Sequence, residues 1–242
     1  MLVVPSAARV ACWLNAWIAQ RASADAVIAG LVGGDGEVEF AGVSPGSRLA
    51  PALFLGELKH RDVRRVSATL PSPGNLVGLG GPPEFNASAI EAGSGVVLEG
   101  AGMGLVPHHL GEVTRWSACS ATPPTYLPDV ATADRELRAT LLEAADALAE
   151  LDVASWSPDA ADAVLNLRAP AKLDTELPLA SSQASGLIAR ALRAREIVTQ
   201  AQRDDGGAVS ASQVAFRREL LAPLHRAACA GVVAAASTID GR

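Results

Sequence analysis

Apolar residues recur along this chain with two different periods, and the change from one to the other divides it. Val10, Leu14, Trp17 and Ile18 follow Pro5 and Ser6 at helical spacing, with Trp13 beside them, which predicts an amphipathic first helix. Ser23 is placed to cap a second helix over Ala24 to Val32, and Gly33-Gly34 to end it. Glu37 to Val43 alternates apolar and acidic positions and predicts a strand. Leu49, Leu53, Phe54 and Leu58 return to helical spacing between Arg48 and Leu58, with Pro51 in the first turn. Val63 to Leu70 reads as a strand in which Val63 is out of phase with Val66, Ala68 and Leu70, which implies a bulge or a fully buried upper end.

Turn formers crowd the stretch from Pro71 through Pro83 and predict a long loop. Asn86 can cap a short helix to Ala92 that Gly93 ends, and Gly95 to Glu99 and Gly111 to Ala118 read as two strands around a Gly-rich connection. From Thr132 the period is helical almost to the end. Thr132 can cap a helix whose stripe is Leu137, Leu141, Ala144, Leu148 and Leu151, and Ser157-Pro158-Asp159 starts another. After a Pro-bearing linker from Ala169 to Leu179, Ser182 opens a long helix with Leu187, Ile188, Ala191, Leu192 and Val198 on one face. Asp204-Asp205-Gly206-Gly207 would stop it, and Ser210 to Gln213 forms a capping box for a last helix running towards Ala236, with a kink or break at Pro223.

The expected fold is therefore α+β. Residues 1–128 form a mixed α/β part with a small sheet, packed as one unit against an Ala-rich helical part, residues 129–242, that ends in an antiparallel helix hairpin.

Charge narrows the partners. The formal net charge is -6, with 8 basic against 10 acidic residues up to Thr125 and 12 against 16 afterwards, so neither half has the basic surplus on which nucleic-acid affinity rests. No basic leader precedes an apolar run at the N-terminus, and the apolar stretches Val10 to Ala19 and Ala227 to Ala236 are short for a bilayer, so a cytoplasmic protein without membrane contact is expected. Cys12, Cys119 and Cys229 are odd in number and widely spaced, which fits reduced thiols.

Four features are candidates for chemistry. Gly100-Ala101-Gly102-Met103-Gly104 follows a strand, as a phosphate loop would, but Leu105 sits where a dinucleotide fingerprint needs its third glycine and Pro107 soon follows, so a hairpin connection is expected and no cofactor. The loop from Gly78 to Asn86, with Gly80 and Gly81 before two prolines, can wall a pocket or cover a sheet edge. His108, His109 and Glu112, with Cys119 further on, offer acid/base or metal-binding groups; adjacent histidines share one ion only from a turn, and no metal is assigned. Lys59, Arg61, Arg64 and Arg65, with His60 among them, could hold a phosphate or an acidic partner, although Asp62 lies inside the cluster.

Three segments together, Val3 to Arg9 with Trp13 and Asn15, the loop Gly78 to Asn86, and Asp204 to Leu221, resemble a family of proteins of unknown function from high-GC Gram-positive bacteria. The resemblance implies a bacterial cytoplasmic protein and carries no catalytic residue. The expected function is thus a non-catalytic interaction or regulatory role, through a protein partner or self-association. The alternative is an enzyme with a pocket lined by the Gly78 to Asn86 loop and a His108-His109 turn.

Overall fold

The computed structural model describes residues 1–33, 36–72, 74–150, 172–203 and 211–239. In chain order these form α1 (Ser6–Ile18), α2 (Ala24–Val32), β1 (Glu37–Ala41), β2 (Arg48–Leu49), α3 (Pro51–Lys59), β3 (Arg65–Thr69), α4 (Pro83–Ala92), β4 (Gly95–Glu99), β5 (Met103–Leu110), β6 (Val113–Ser120), α5 (Val130–Glu150), α6 (Ser182–Arg203) and α7 (Ala211–Ser237). The architecture is α+β, with a six-stranded mixed sheet in the N-terminal half and helices in the C-terminal half.

Strand order is β2-β1-β6-β5-β4-β3, antiparallel throughout except for the parallel pair β1 and β6. Cross-strand partners share a face. The register therefore sets Phe40 beside Trp116 and Val66 beside Leu98, and strand alternation adds Val38, Ala68, Val96 and Leu105 to the same side. All are buried in one core with residues of α1, α2, α3, α5, α6 and α7, and Phe54 of α3 stacks on Phe40 at 3.7 Å between ring centroids. The opposite face carries the ion pairs Glu39 with Arg115 and Glu99 with Arg65, and its apolar middle, Val97 and Val106, lies under Phe85 and Ala89 of α4.

The connection expected between two strands holds a third, β5, because Gly104 belongs to a strand and not to a turn. A Cβ on Gly104 would lie 2.5 Å from the Phe85 ring, so glycine here answers a close approach of α4 and not a phosphate. The strand expected from Val63 starts at Arg65 with a fully buried upper end, from Val66 to Thr69.

Several caps shift by a few residues. Ser23 caps α2 through the Ala26 N–H, as its sequence position implies. Asn86 caps nothing: α4 starts at Pro83, with Asn86 donating its backbone N–H to the Pro82 carbonyl. Asp129, not Thr132, caps α5, its carboxylate accepting from the Thr132 N–H at 2.9 Å and from the Thr132 hydroxyl. Two acceptor oxygens on a short stem outcompete a hydroxyl that would have to leave the helix to do the same. These bonds, the backbone one foremost, hold the Asp129 carboxyl below its ordinary pKa. Ser181, one residue before the expected Ser182, caps α6 through the Ala184 N–H.

Leu187, Ile188, Ala191, Leu192 and Val198 are all buried, and Gly231 of α7 meets Leu187 and Ala191. Pro223 does not break α7, whose neighbouring Leu221 and Leu224 are anchored in the core. The expected start at Ser157-Pro158-Asp159, the stop at Asp204 to Gly207, the Ser210 cap and the side chains of Leu148 and Leu151 lie outside the described residues. By length and composition Glu219–Ser237 could cross a bilayer, a longer apolar stretch than its alanine run alone implies, and 61% of that window is buried inside the fold.

The β3 edge of the sheet is closed by side chains from both halves. Asn15 of α1, 1% exposed, donates Nδ2 to the Val66 carbonyl at 2.8 Å and to the Ala236 carbonyl at 3.1 Å, and accepts the Val66 N–H. Ser237 accepts the Ala68 N–H at 2.9 Å. Unpaired edge groups are thereby satisfied and withdrawn from pairing with another chain.

Candidate functional site

The β5–β6 hairpin runs between two of the regions that its sequence marks. At its turn, His108 and His109 are exposed and lie within β5, not in a turn, so they face opposite sides of the sheet. His109 shares a hydrogen bond with the Thr114 hydroxyl at 3.2 Å, and His108 is registered opposite Arg115, itself paired with Glu39. Glu112 is exposed in the turn, its backbone carbonyl accepting the Glu37 N–H. Cys119 sits five positions beyond Thr114, about 16 Å at the rise of a strand. Among the described residues no group of three His, Cys, Asp or Glu side chains could hold a metal ion.

The other end of the hairpin meets the Gly-Pro loop. Thr122 donates its backbone N–H to the Gly81 carbonyl at 2.9 Å, and the Thr69 hydroxyl donates to the Val77 carbonyl. A Cβ on Gly80 would stand 2.3 Å from the carbonyl oxygens of Thr122 and Pro123, so only glycine lets the two backbones touch. Thr114 and Ser120 are six residues apart along β6, roughly 20 Å. The loop and the histidine pair therefore lie at opposite ends of the β5–β6 hairpin, so the described residues of the two do not line one pocket, as the alternative enzyme reading requires.

The basic cluster also resolves into pairs. Arg61 donates to the Val43 carbonyl at 2.5 Å, Arg64 is paired with Asp62, and Arg65 holds Glu99 by two parallel bonds of 3.0 and 2.9 Å. Lys59 and His60 are exposed at the end of α3. Three of the four expected binding cations thus have intramolecular acceptors.

What the fold does assemble is a cleft of about 650 Å³ between the two halves. Asn75 to Leu79 form one wall, the segment around Pro124, Tyr126 and Pro128 another, and Glu136 and Thr140 of α5 with Pro223 and Arg226 of α7 the floor and far side. Leu76 is 61% exposed and Tyr126 70% exposed, both large side chains held out at its lip. Gly80, Gly81 and Asn86 do not line it; Gly80 and Gly81 hold the loop against residues 122–123, which lead into that second wall. Of the lining residues only Gly78 and Leu79 belong to the loop that the sequence marks; the others escape it, although Leu76 is an apolar residue stranded among turn formers and Tyr126 is the chain's one tyrosine, set among prolines.

The thiols are unevenly placed. Burial pushes Cys12 up to about 12 and raises Cys229, while Cys119 is exposed.

No curated protein and no solved structure matches the chain. Two family models do, described as the Rv1486c-like protein N-terminal domain over residues 7–131 and the Rv1486c-like protein C-terminal domain over residues 131–233, and neither description names an activity. The chain belongs to the Rv1486c-like family.

Proposed function

We propose that this chain is a non-catalytic interaction or regulatory protein of the bacterial cytoplasm, from an actinobacterial family, and that its contact surface is the cleft between the two halves. One observation carries the reading: Leu76 and Tyr126 stand exposed at the lip of the concave surface. Large apolar groups at the rim of a concavity mark a place where a partner covers them. The described lining supports binding more than chemistry, offering Glu136 and Arg226 as its charged groups and no thiol or imidazole. Cytoplasmic residence accords with reduced thiols and with the burial of most of the apolar window in α7.

Site-specific photocrosslinkers at Leu76, at Tyr126 and at Leu53 test this in living cells. Leu53 is a fair control, 62% exposed on α3 and outside the cleft. The expected result is a discrete crosslinked species, a partner or a second copy, from positions 76 and 126 and not from 53. Equal capture at all three, or capture at none, overturns it.

A further inference from the structure

A second cavity lies against the N-terminal segment. Val3 and Pro5 close one side, and Leu192, Arg195, Glu196 and Thr199 of α6 the other, around about 230 Å³. The segment is fixed there by the Leu2 N–H on the Lys172 carbonyl and the Val4 N–H on the Asp174 carboxylate at 3.1 Å.

Two features give this cavity a positive character, and a third reports on it. Arg195 is half-buried, with its Nε shut from solvent and unpartnered, and it enters no ion pair among the described residues. Its side chain instead engages the Cys229 thiol, a weak acceptor that leaves the charge uncompensated. Pro5, on the cavity wall, is the N-cap of the 13-residue helix α1, which has no side-chain cap and no acid in its first turn, although the Asp174 carboxylate on the Val4 N–H stands just before it. On the far side of Arg195, the His225 Nε2 stands 3.8 Å from the Cys229 sulfur, and burial first, then Arg195 and Arg226, lower its proton affinity. A half-buried guanidinium without a carboxylate is costly, and an anion removes that cost.

We infer that this cavity binds a small oxyanion, with the Arg195 guanidinium as its charge partner and the Thr199 hydroxyl as a further donor. The volume admits a phosphate or a short carboxylate and excludes a nucleotide. Glu196, on the same wall, opposes the anion and limits its affinity.

Titration of the full-length protein with phosphate, and separately with acetate, at constant ionic strength in chloride tests the site, read from the His225 ring resonances. An anion on Arg195 offsets part of the charge that depresses His225, so its pKa rises saturably with phosphate, with acetate, or with both, and the arm that responds identifies the oxyanion. Arg195→Gln weakens binding by roughly tenfold or more, and Arg195→Lys weakens it less because charge remains while the fork is lost. Glu196→Gln tightens it by a few-fold. Thr199→Val, which keeps shape, gives an independent loss should the arginine variants fold poorly. A His225 signal indifferent to both anions, or the same response in folded Arg195→Gln as in the parent, overturns the site.

Discussion

The two ends of the β5–β6 hairpin are built from opposite kinds of residue and reach opposite outcomes. The turn end has the chemically versatile side chains, His108, His109 and Glu112, yet they stand apart and exposed. The other end, which carries the exposed Cys119 thiol, meets a loop of glycines and prolines, and there the chain folds back on itself and a cleft opens beside it. A reactive side chain becomes a site only when other elements converge on it, and convergence is set by the backbone.

Four measurements sharpen or break that comparison. The largest effect is expected at Gly104, where Gly104→Val drives a branched side chain into the Phe85 ring and lowers unfolding free energy by about 3 kcal/mol or more in urea titrations. Gly56→Ala in α3, where a Cβ meets nothing within 4 Å, is the control and gains up to about 1 kcal/mol. If both glycines tolerate alanine and valine equally, close approach is not the reason for Gly104.

Next, Gly80→Ala costs about 1 to 3 kcal/mol, because backbone carbonyls and not a flexible side chain must move. It should also change labelling of a probe at Leu76, while Gly186→Ala, on α6 where a Cβ meets nothing within 4 Å, leaves that label as it was.

Third comes a histidine of the other kind. The His225 pKa is lowered by burial and by Arg195 and Arg226, so the unfolded chain binds a proton that the folded one resists. Stability is full above the ordinary value near 6.5 and declines as pH falls through it towards the depressed folded value. Urea midpoints at pH 7 and pH 5 should fall apart by more in the parent than in His225→Gln; an equal loss in both would remove His225 from the account.

The smallest effect belongs to the turn end. His108→Ala with His109→Ala should alter stability by no more than about 0.5 kcal/mol, and zinc should leave the melting temperature of the parent in place. A zinc-dependent rise lost in the double variant would show that the two imidazoles do meet.

Local signals carried far into this fold. Ser23 was legible as a cap because its hydroxyl reaches only three residues ahead, to Ala26. Asn86 was equally cap-like in type, and Pro83 took the helix start from it because proline's fixed φ suits a first turn and needs no N–H donor there. The stripe on α6 was legible because its period is intrinsic to the helix that buries it. Strand β5 was missed because Gly100, Gly102 and Gly104 read as turn, although the last lies flat beneath an aromatic ring 19 residues away in sequence. Of the cleft, the loop was marked by its glycines and prolines, while Glu136, Thr140 and Arg226 look like ordinary helix surface until α5 and α7 bring them to it.

By itself the sequence determined the class of the fold, the division into a sheet-bearing and a helical half, and most helix spans, since periods and caps act over a turn or two of chain. Only the tertiary structure decided the strand order with its parallel β1–β6 pair, the Asn15 clamp that ties Val66 to Ala236, and which loops converge on a cleft. Those depend on contacts across as many as 221 residues of chain, such as Asn15 with Ala236, and no local pattern records which distant backbone will supply the partner.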